Sequence, residues 1–414
     1  MKNNTVIDLD NPEEIDPLTE LLRTGAKKLI AEAIQAELDE QMTQYEDQKT
    51  ADGRRRVVRS GHHPEREIVT GVGKVSVEVP KIRSRDGEPE SFQSMVVPPY
   101  IRRTATLDAA IPWLYLKGVS SGQMQSALEA IVGPQAKGLS SNVVGRLKRQ
   151  WEVEYKEWCT CSVADEWVYI WADGIYSGLR GDDGKLCCLV IIGVNSRGQK
   201  HFLAIEDGVR ESKQSWREVL LSLQQRGLRQ SPKLAVGDGA LGFWAALEEV
   251  YPATLIQRCW MHKTGNVLNY LPKSVQEKAK QGIHDIWMAE GRAEAERAFD
   301  HFEDRFGAKY PKAVECLSKD RDVMLTFYDF PAEHWIHIRT TNVIESSFAT
   351  IRHRTRQAKG CVTRNTMLTM IYKMGQCAED SWRRLRGFRH LAKVIEGVTF
   401  KDGIEVTDDD KAAA

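Results

Sequence analysis

No stretch of this 414-residue sequence approaches the roughly 20 unbroken apolar residues that a bilayer-spanning helix needs, which excludes a helical membrane protein. The opening residues lack the apolar segment of a secretory signal: Met1-Lys2-Asn3-Asn4 leads into Asp8, Asp10, Glu13 and Glu14, and a cytoplasmic location is expected. A disulfide framework is not expected either, because the eight cysteines are scattered and neighbours such as Cys187 and Cys188 would face opposite sides of a strand. Reduced thiols suit the cytosol. Net charge is missing too, with 58 Lys and Arg against 58 Asp and Glu, but the balance conceals segregation. Residues 1–50 hold five basic and twelve acidic side chains, whereas residues 54–103 hold eleven basic and six acidic. Residues 339–393 go further, with twelve basic against three acidic. Each basic block can follow a phosphate backbone, so the zero sum does not exclude nucleic acid. What is present is an ordinary globular composition, 42% hydrophobic and 28% charged, in a chain long enough for two or three cored domains.

Residues 18–48 place Leu21, Leu22, Leu29, Ile30, Ile34 and Leu38 near helical spacing with no Gly or Pro after Gly25, which predicts an amphipathic helix used for packing. Beyond Gly53-Arg54-Arg55-Arg56, alternation in 68–70 and 75–79 around Gly71-Val72-Gly73-Lys74 predicts a hairpin, and Pro80, Pro89, Pro98 and Pro99 mark loops. From 105 to about 155 the pattern is helical in three pieces, divided at Gly118-Val119-Ser120 and at 133–138. The last piece begins with small polar residues and continues into Arg146, Lys148 and Arg149, as the recognition helix of a DNA-reading helix-turn-helix does. An ordinary three-helix bundle fits this pattern too.

The middle of the chain alternates strand and helix signals. Strands are expected at 166–173, at 186–194 after a Gly181-Asp182-Asp183-Gly184 turn, and at 201–205. A helix follows through Trp216, Val219, Leu220 and Leu223, with Ser215 and Glu218 as a capping box and Gly227 as terminator. A fourth strand at 233–238, a helix at 241–250 and a fifth strand from 254 to about 260 complete the order β-β-β-α-β-α-β. That order is the one of a ribonuclease-H-like fold, an α/β architecture on a mixed five-stranded sheet, which awaits one more helix. Residues 265–338 intervene with helical periodicity, Val275, Ala279, Ile283 and Ile286, then Phe299, Phe302 and Phe306, and predict an all-α insertion before the core resumes near Asn342.

Three acids fall where such a sheet would gather them: Asp173 ending the first strand, Asp238 ending the fourth, and Glu345 in the first turn of the resuming helix. Carboxylates from two strand ends and a helix provide the hard oxygen ligands that two Mg²⁺ ions need for phosphodiester chemistry. Each has a structural reading as well. Asp173-Gly174 and Asp238-Gly239 are turn dipeptides, and Asn342-x-x-Glu345 is an N-cap with its capping-box glutamate. Arg352 and Arg356 share a helix face with Glu345 and would hold a phosphodiester beside it. Cys259-x-x-His262 has the spacing of half a zinc set, for which Cys159-x-Cys161 is the only partner in view; the other reading is a buried polar pair beside the active site.

These residues resemble the transposases of bacterial Mutator-like insertion sequences, within the Mutator superfamily of DDE recombinases, over most of the chain. The most specific part runs from Glu211-Ser212-Lys213-x-x-Trp216 through Arg226-Gly227-Leu228 to Gly237-Asp238-Gly239. It continues with Gln257-Arg258-Cys259-x-x-His262-Lys263-x-x-Asn266 and Thr340-Thr341-Asn342-x-x-Glu345. Asp173-Gly174-x-Tyr176 with Arg180 is similar to the first acidic motif, and Tyr115-x-Lys117-Gly118-Val119-Ser120, Arg59-Ser60-Gly61-His62 and Val79-Pro80-Lys81-Ile82-Arg83 to the upstream segments. The resemblance implies a catalytic and metal-binding triad of Asp173, Asp238 and Glu345, and two Mg²⁺ or Mn²⁺ ions. It also implies a helical insertion before the glutamate, and Cys259 and His262 on the fifth strand as support for the site.

The expected organisation is therefore an N-terminal helical segment at 1–52, a basic hairpin and loop region at 53–104 and a mainly helical, helix-turn-helix-like DNA-binding region at 105–160. The catalytic core follows at 161–264, the all-α insertion at 265–338, the basic final helices of the core at 339–400 and a tail at 401–414. The expected activity is metal-dependent cleavage and strand transfer at terminal inverted repeats, with target DNA as second substrate, by a homodimer or higher oligomer in the bacterial cytoplasm, at the nucleoid when bound to DNA. Two other readings share these features: a non-catalytic DNA-binding relative acting as a repressor, and a ribonuclease-H-like nuclease.

Overall fold

The computed structural model describes residues 17–116, 119, 123–132, 141–178, 185–208, 210–239, 241–345 and 363–406. The 181–184 turn, Arg352 and Arg356 lie outside them. The chain divides into two compact units, residues 1–147 and 148–414.

In the first unit, helix α1 (Pro17–Thr43) packs on two antiparallel ladders, one pairing β1 (Val57–His62) with β4 (Pro80–Ser84), the other β2 (Arg66–Thr70) with β3 (Gly73–Val77). Ile34 and Leu38 of α1 share a core with Val57, Ile68, Val75, Val77, Ile82 and Phe92. Leu21, Leu22 and Leu29 stay exposed, so of the apolar positions that its pattern announces Ile34 and Leu38 are buried, with Ala26 and Ile30 packed beside them. Helices α2 (Ala105–Leu116), α3 (Met124–Val132) and α4 (Ser141–Thr160) match the three predicted helical pieces, and α4 runs on into the second unit.

The second unit is built on a five-stranded mixed sheet. In sequence order its strands are β5 (Trp167–Gly178), β6 (Lys185–Asn195), β7 (Lys200–Gly208), β8 (Leu234–Gly237) and β9 (Leu255–Arg258), arranged in space as β7-β6-β5-β8-β9. The first three form antiparallel ladders, and β8 and β9 run parallel to β5. Helices α5 (Lys213–Gln225) and α6 (Leu241–Val250) cover one face, where Trp216, Val219, Leu220, Leu223, Phe243 and Leu247 bury against Ile170, Leu189, Ile191 and Ala235. Leu220 is wholly buried there. Leu220→Ala is expected to cost about 2–5 kcal/mol, read as a lower urea midpoint at unchanged slope. On the other face, Tyr169 hydrogen-bonds His334 (2.8 Å) and the Trp171 indole donates to the His337 carbonyl (3.0 Å).

Three expectations are corrected. Strand β5 does not stop at Asp173 but continues to Gly178, because its antiparallel pairing with β6 persists through Asp173↔Val190 to Gly178↔Lys185. The N-cap of α5 is Ser212, whose hydroxyl accepts from the Ser215 amide, so Ser215 and Glu218 already lie inside the helix. The last strand ends at Arg258, and Cys259 is the N-cap of α7 (Trp260–Leu268), which removes Cys259 and His262 from the strand.

Between β9 and Asn342 the chain is helical, and α8 (Lys273–Trp287) and α9 (Arg292–Phe306) bury Ala279, Ile283, Ile286, Phe299, Phe302 and Phe306 at the spacing read from the sequence. Lys263 anchors α7 to this region. It is buried, donates to the Cys316 carbonyl (2.8 Å) and pairs with Asp320.

Candidate active site

The parallel ladder between β5 and β8 ends at Ala172↔Gly237, so the next residue along each segment is an acid, Asp173 within β5 and Asp238 just past the end of β8. Parallel register thus brings together two carboxylates 65 positions apart. The Asp238 loop is held from both sides. Its carbonyl accepts the Trp244 indole N–H (2.7 Å) and its carboxylate accepts the Gly239 amide. The Arg258 guanidinium stacks over the Trp244 ring at 5.3 Å, and a Cβ on Gly237 would stand 3.1 Å from the same indole.

One more backbone hydrogen bond follows the last ladder pair, Gly237↔Arg258. The Cys259 amide donates to the Gly237 carbonyl (2.8 Å), which fixes the start of α7 beside Asp238. The Cys259 sulfur accepts from both the backbone N–H and the hydroxyl of Thr341, each at 3.3 Å. That hydroxyl also lies 3.4 Å from His262 Nδ1 and 3.3 Å from Glu345 Oε1. Residues 342–345 are helical, with the Glu345 amide donating to the Thr341 carbonyl (3.1 Å). Thr341 is therefore the hub that joins the glutamate-bearing turn to Cys259 and His262, a role the sequence reading did not assign. The only sign of it was its place in Thr340-Thr341-Asn342.

Cys259, His262 and Glu345 bring their ligand atoms within 4.8 Å of one another, the one such group of three among the described residues. Asp173 and Asp238 stand outside that group. The three predicted acids thus share one end of the sheet without closing to ligand distance. Arg146, Lys148 and Arg149 all lie on α4; the two arginines are exposed and Lys148 is half-buried.

The electrostatics are those of a site short of positive charge. Burial pushes the Asp173 carboxyl up to about 7, with His262 opposing and Glu211 and Asp238 adding to the rise. His262 is held protonated up to about 9, chiefly by its hydrogen bond with Cys259 and then by the charges of Cys259, Asp238 and Asp173, against the effect of burial. Glu211, another residue without a role in the sequence reading, is also raised by burial, opposed by its hydrogen bond with Tyr176 and reinforced by Asp238. The one group at ligand distance among the described residues offers a sulfur, a nitrogen and a carboxylate oxygen, while the carboxyls of Asp173, Asp238 and Glu211 crowd one another electrostatically, a crowding that a divalent cation would offset.

Close backbone approach is part of the design. A Cβ on Gly174 would fall 2.5 Å from Glu211 Oε1, well inside van der Waals contact. Gly174→Ala is expected to displace either Glu211 or the strand beside Asp173. Since a misplacement of about 1 Å can cost about 10²-fold, cleavage should fall by that order while far-UV circular dichroism stays unchanged.

Comparison with known proteins decides the family, because the profile described as "Transposase, Mutator family" matches residues 2–384. The chain belongs to the Mutator family of transposases. It is 50% identical over 296 residues, 70% of this chain and all of the relative, to the transposase for insertion sequence element IST2 of Acidithiobacillus ferrooxidans. It is 47% identical over 298 residues, 72% of this chain and 92% of the relative, to the transposase for IS6120 of Mycolicibacterium smegmatis. A more distant transposase, that of ISRM5 from Rhizobium meliloti, matches at 26% identity over 390 residues, 94% of this chain. Membership of this family implies an enzyme that cleaves DNA and transfers strands. No helix among the described residues is long and apolar enough to cross a membrane.

Proposed function

We propose that this Mutator-family chain is a DDE transposase of an insertion sequence, with Asp173, Asp238 and Glu345 as its catalytic carboxylates on a ribonuclease-H-like core. The observation that carries the reading is the parallel register ending at Ala172↔Gly237, which sets Asp173 beside Asp238. The sheet order β7-β6-β5-β8-β9, with only the first three strands antiparallel, supports the core, and the helices between β9 and Asn342 are its insertion. Bound by the three acids, two Mg²⁺ or Mn²⁺ ions would activate the attacking water or 3′-hydroxyl and stabilise the departing 3′-oxygen. The chain's own residues do the rest. Trp244 and Arg258 fix the Asp238 loop, Thr341 fixes Glu345, and protonated His262 offsets the acids. Cys259 acts through Thr341 and His262 as support, not as a zinc ligand.

Each step forms one P–O bond and breaks another. Water attacks the phosphorus at the element end, leaving a 5′-phosphate and freeing a 3′-hydroxyl. That hydroxyl attacks a target phosphodiester, joining to its 5′-phosphate and displacing a target 3′-hydroxyl, so no covalent enzyme intermediate is needed. Residues 54–155, with Arg146, Lys148 and Arg149, read the terminal inverted repeats, and Arg352 and Arg356, which lie outside the described residues, position phosphates. Two ends must be held together, so the active form is a dimer or larger, working at the nucleoid. The test is a labelled duplex carrying the element's end, incubated with protein and Mg²⁺. Strand-specific nicking at the end is expected; faster cutting of the RNA strand in a hybrid would instead identify a ribonuclease-H-like nuclease.

A further inference from the structure

The first unit contains a cavity of about 750 Å³ beside strand β2, within the range of small-ligand sites, about 300–1,000 Å³. We propose that it receives one unpaired nucleotide of the element's end, with the base on its apolar floor and the phosphates on its cationic rim; the inference rests on the reading that residues 54–155 bind DNA and adds a pocket to it.

The cavity is built from fixed parts. Phe92, Val97, Ile111 of α2 and Leu128 of α3 line it and are themselves buried, which makes its floor apolar. The 102–104 segment is tied along β2: the Val69 amide donates to the Arg102 carbonyl (2.9 Å) and the Thr104 amide to the Val69 carbonyl (3.0 Å). Arg102 and Arg103 thereby stand at the cavity's edge. The loop 94–100 forms another side and is anchored twice. Glu37 accepts the amides of Met95 and Val96, each at 3.1 Å, and Arg66 donates to the carbonyls of Val97 (3.0 Å) and Pro98 (2.8 Å). Yet this anchored loop leaves Met95 87% and Tyr100 93% exposed. Tyr100 is also held at φ 67°, a left-handed conformation that a non-glycine residue adopts at a cost. A fixed backbone that turns a tyrosine ring to solvent beside a cavity is arranged for stacking.

Charge selects the occupant. The described lining holds Arg66, Lys74, Arg102 and Arg103 against one acid, Glu67, which Lys74 takes at 2.6 Å. The bonds of Arg66 go to carbonyls and do not cancel its charge. His63, at the same edge, titrates below its ordinary value, first through burial and then through the charges of Lys81 and Arg66, and those two mark a positive local potential. The occupant is therefore anionic, with a flat apolar part that the floor and Tyr100 can hold. A nucleotide has both, and the exposed Gln93 amide in the lining can donate to and accept from a base edge. The competing occupant is a second copy of this chain, seated through the exposed Met95 and Tyr100.

The fluorescent base 2-aminopurine, placed singly along a duplex carrying the element's end, brightens when it leaves the stack. With the full-length protein one position is expected to brighten severalfold, and an abasic residue opposite that position should tighten binding, because the unpairing is already done. Tyr100→Ala, at an exposed position outside the core, is expected to weaken end binding about tenfold and to remove most of the brightening. Val69→Phe, which narrows the cavity from its β2 wall, should also remove the brightening and the gain from the abasic duplex, with the melting temperature as the control for folding. If wild type binds the end and no position brightens, or if the brightening survives both variants, the cavity takes no base and the proposal falls. It falls equally if Tyr100→Ala changes only the self-association of the DNA-free protein in sedimentation, which would make the cavity an interface between copies. If wild type binds the end no more tightly than an unrelated duplex, the end-reading assignment of residues 54–155 has itself failed, and the proposal with it.

Discussion

Asp238→Ala is expected to reduce cleavage at an element end by about 10³-fold or more while leaving end binding intact. The carboxylate accepts the Gly239 amide, but the loop keeps a second hold that does not involve the side chain, the Trp244 indole on the Asp238 carbonyl with Arg258 over that indole. Removing the side chain therefore removes the proposed metal ligand and one loop hydrogen bond while the Trp244 hold remains. Loss of metal-based charge stabilisation costs several kcal/mol in the transition state, and each 1.4 kcal/mol is about tenfold in rate. Binding should survive because the cations assigned to it, Arg146, Lys148 and Arg149, lie on α4. Nicking of labelled duplex and gel-shift on the same preparation read both effects. A variant that still nicks at the wild-type rate would remove Asp238 from the mechanism. A wild type that binds but never nicks, with Mg²⁺ or Mn²⁺ and with paired ends, would favour the repressor reading.

The metal-free protein is expected to lose stability as pH rises from about 4 to about 7, and Asp173→Asn should abolish most of that slope. The folded carboxyl titrates at about 7, above its ordinary value of 3.8, because burial and the neighbouring acids disfavour its charge. Between those two values the native state holds a proton that the unfolded chain has lost, so unfolding becomes easier with rising pH until the native group also ionises. At about 1.4 kcal/mol per pH unit, the window amounts to about 4 kcal/mol. His262 carries the trend further. Its folded value of about 9 exceeds the ordinary 6.5, so the stability it adds is complete below pH 6.5 and is lost as pH rises through 9. Melting temperatures at pH 5, 7 and 9 with EDTA test both groups. Mg²⁺ should flatten the Asp173 part of the slope, since the ion binds the ionised form. An unchanged slope in Asp173→Asn would show that the carboxyl is not the group responsible.

Periodicity and punctuation were the legible part of the fold. The alternation around Gly71 to Lys74 marked the β2–β3 hairpin, and the Ala279, Ile283, Ile286 spacing marked the buried face of α8, because amphipathic period is a local property of the chain. Ends of elements were less legible. Asp173-Gly174 reads as a turn, yet β5 runs through it, since pairing with β6 on one edge outlasts pairing with β8 on the other. Cys259 likewise reads as strand, and only its position beyond the last ladder residue makes it a helix cap. The capping box at Ser215 was displaced to Ser212 because the helix begins where the Glu211 segment enters it.

The acids were visible as residue types at element ends, and the family motifs around them are written in the chain itself. Their grouping was not. Asp173 and Asp238 meet through the register of a parallel ladder, a long-range pairing that no local pattern encodes. Glu345 is tied to Cys259 and His262 through Thr341, across 82 positions of sequence. Glu211 packs beside Asp173 only because Gly174 and Gly242 have no side chain to exclude its segment. Local physics thus settled the elements, the family and the candidate carboxylates. Packing of distant backbones decided which side chains share the site, because burial and proximity arise only when the sheet closes and its helices dock.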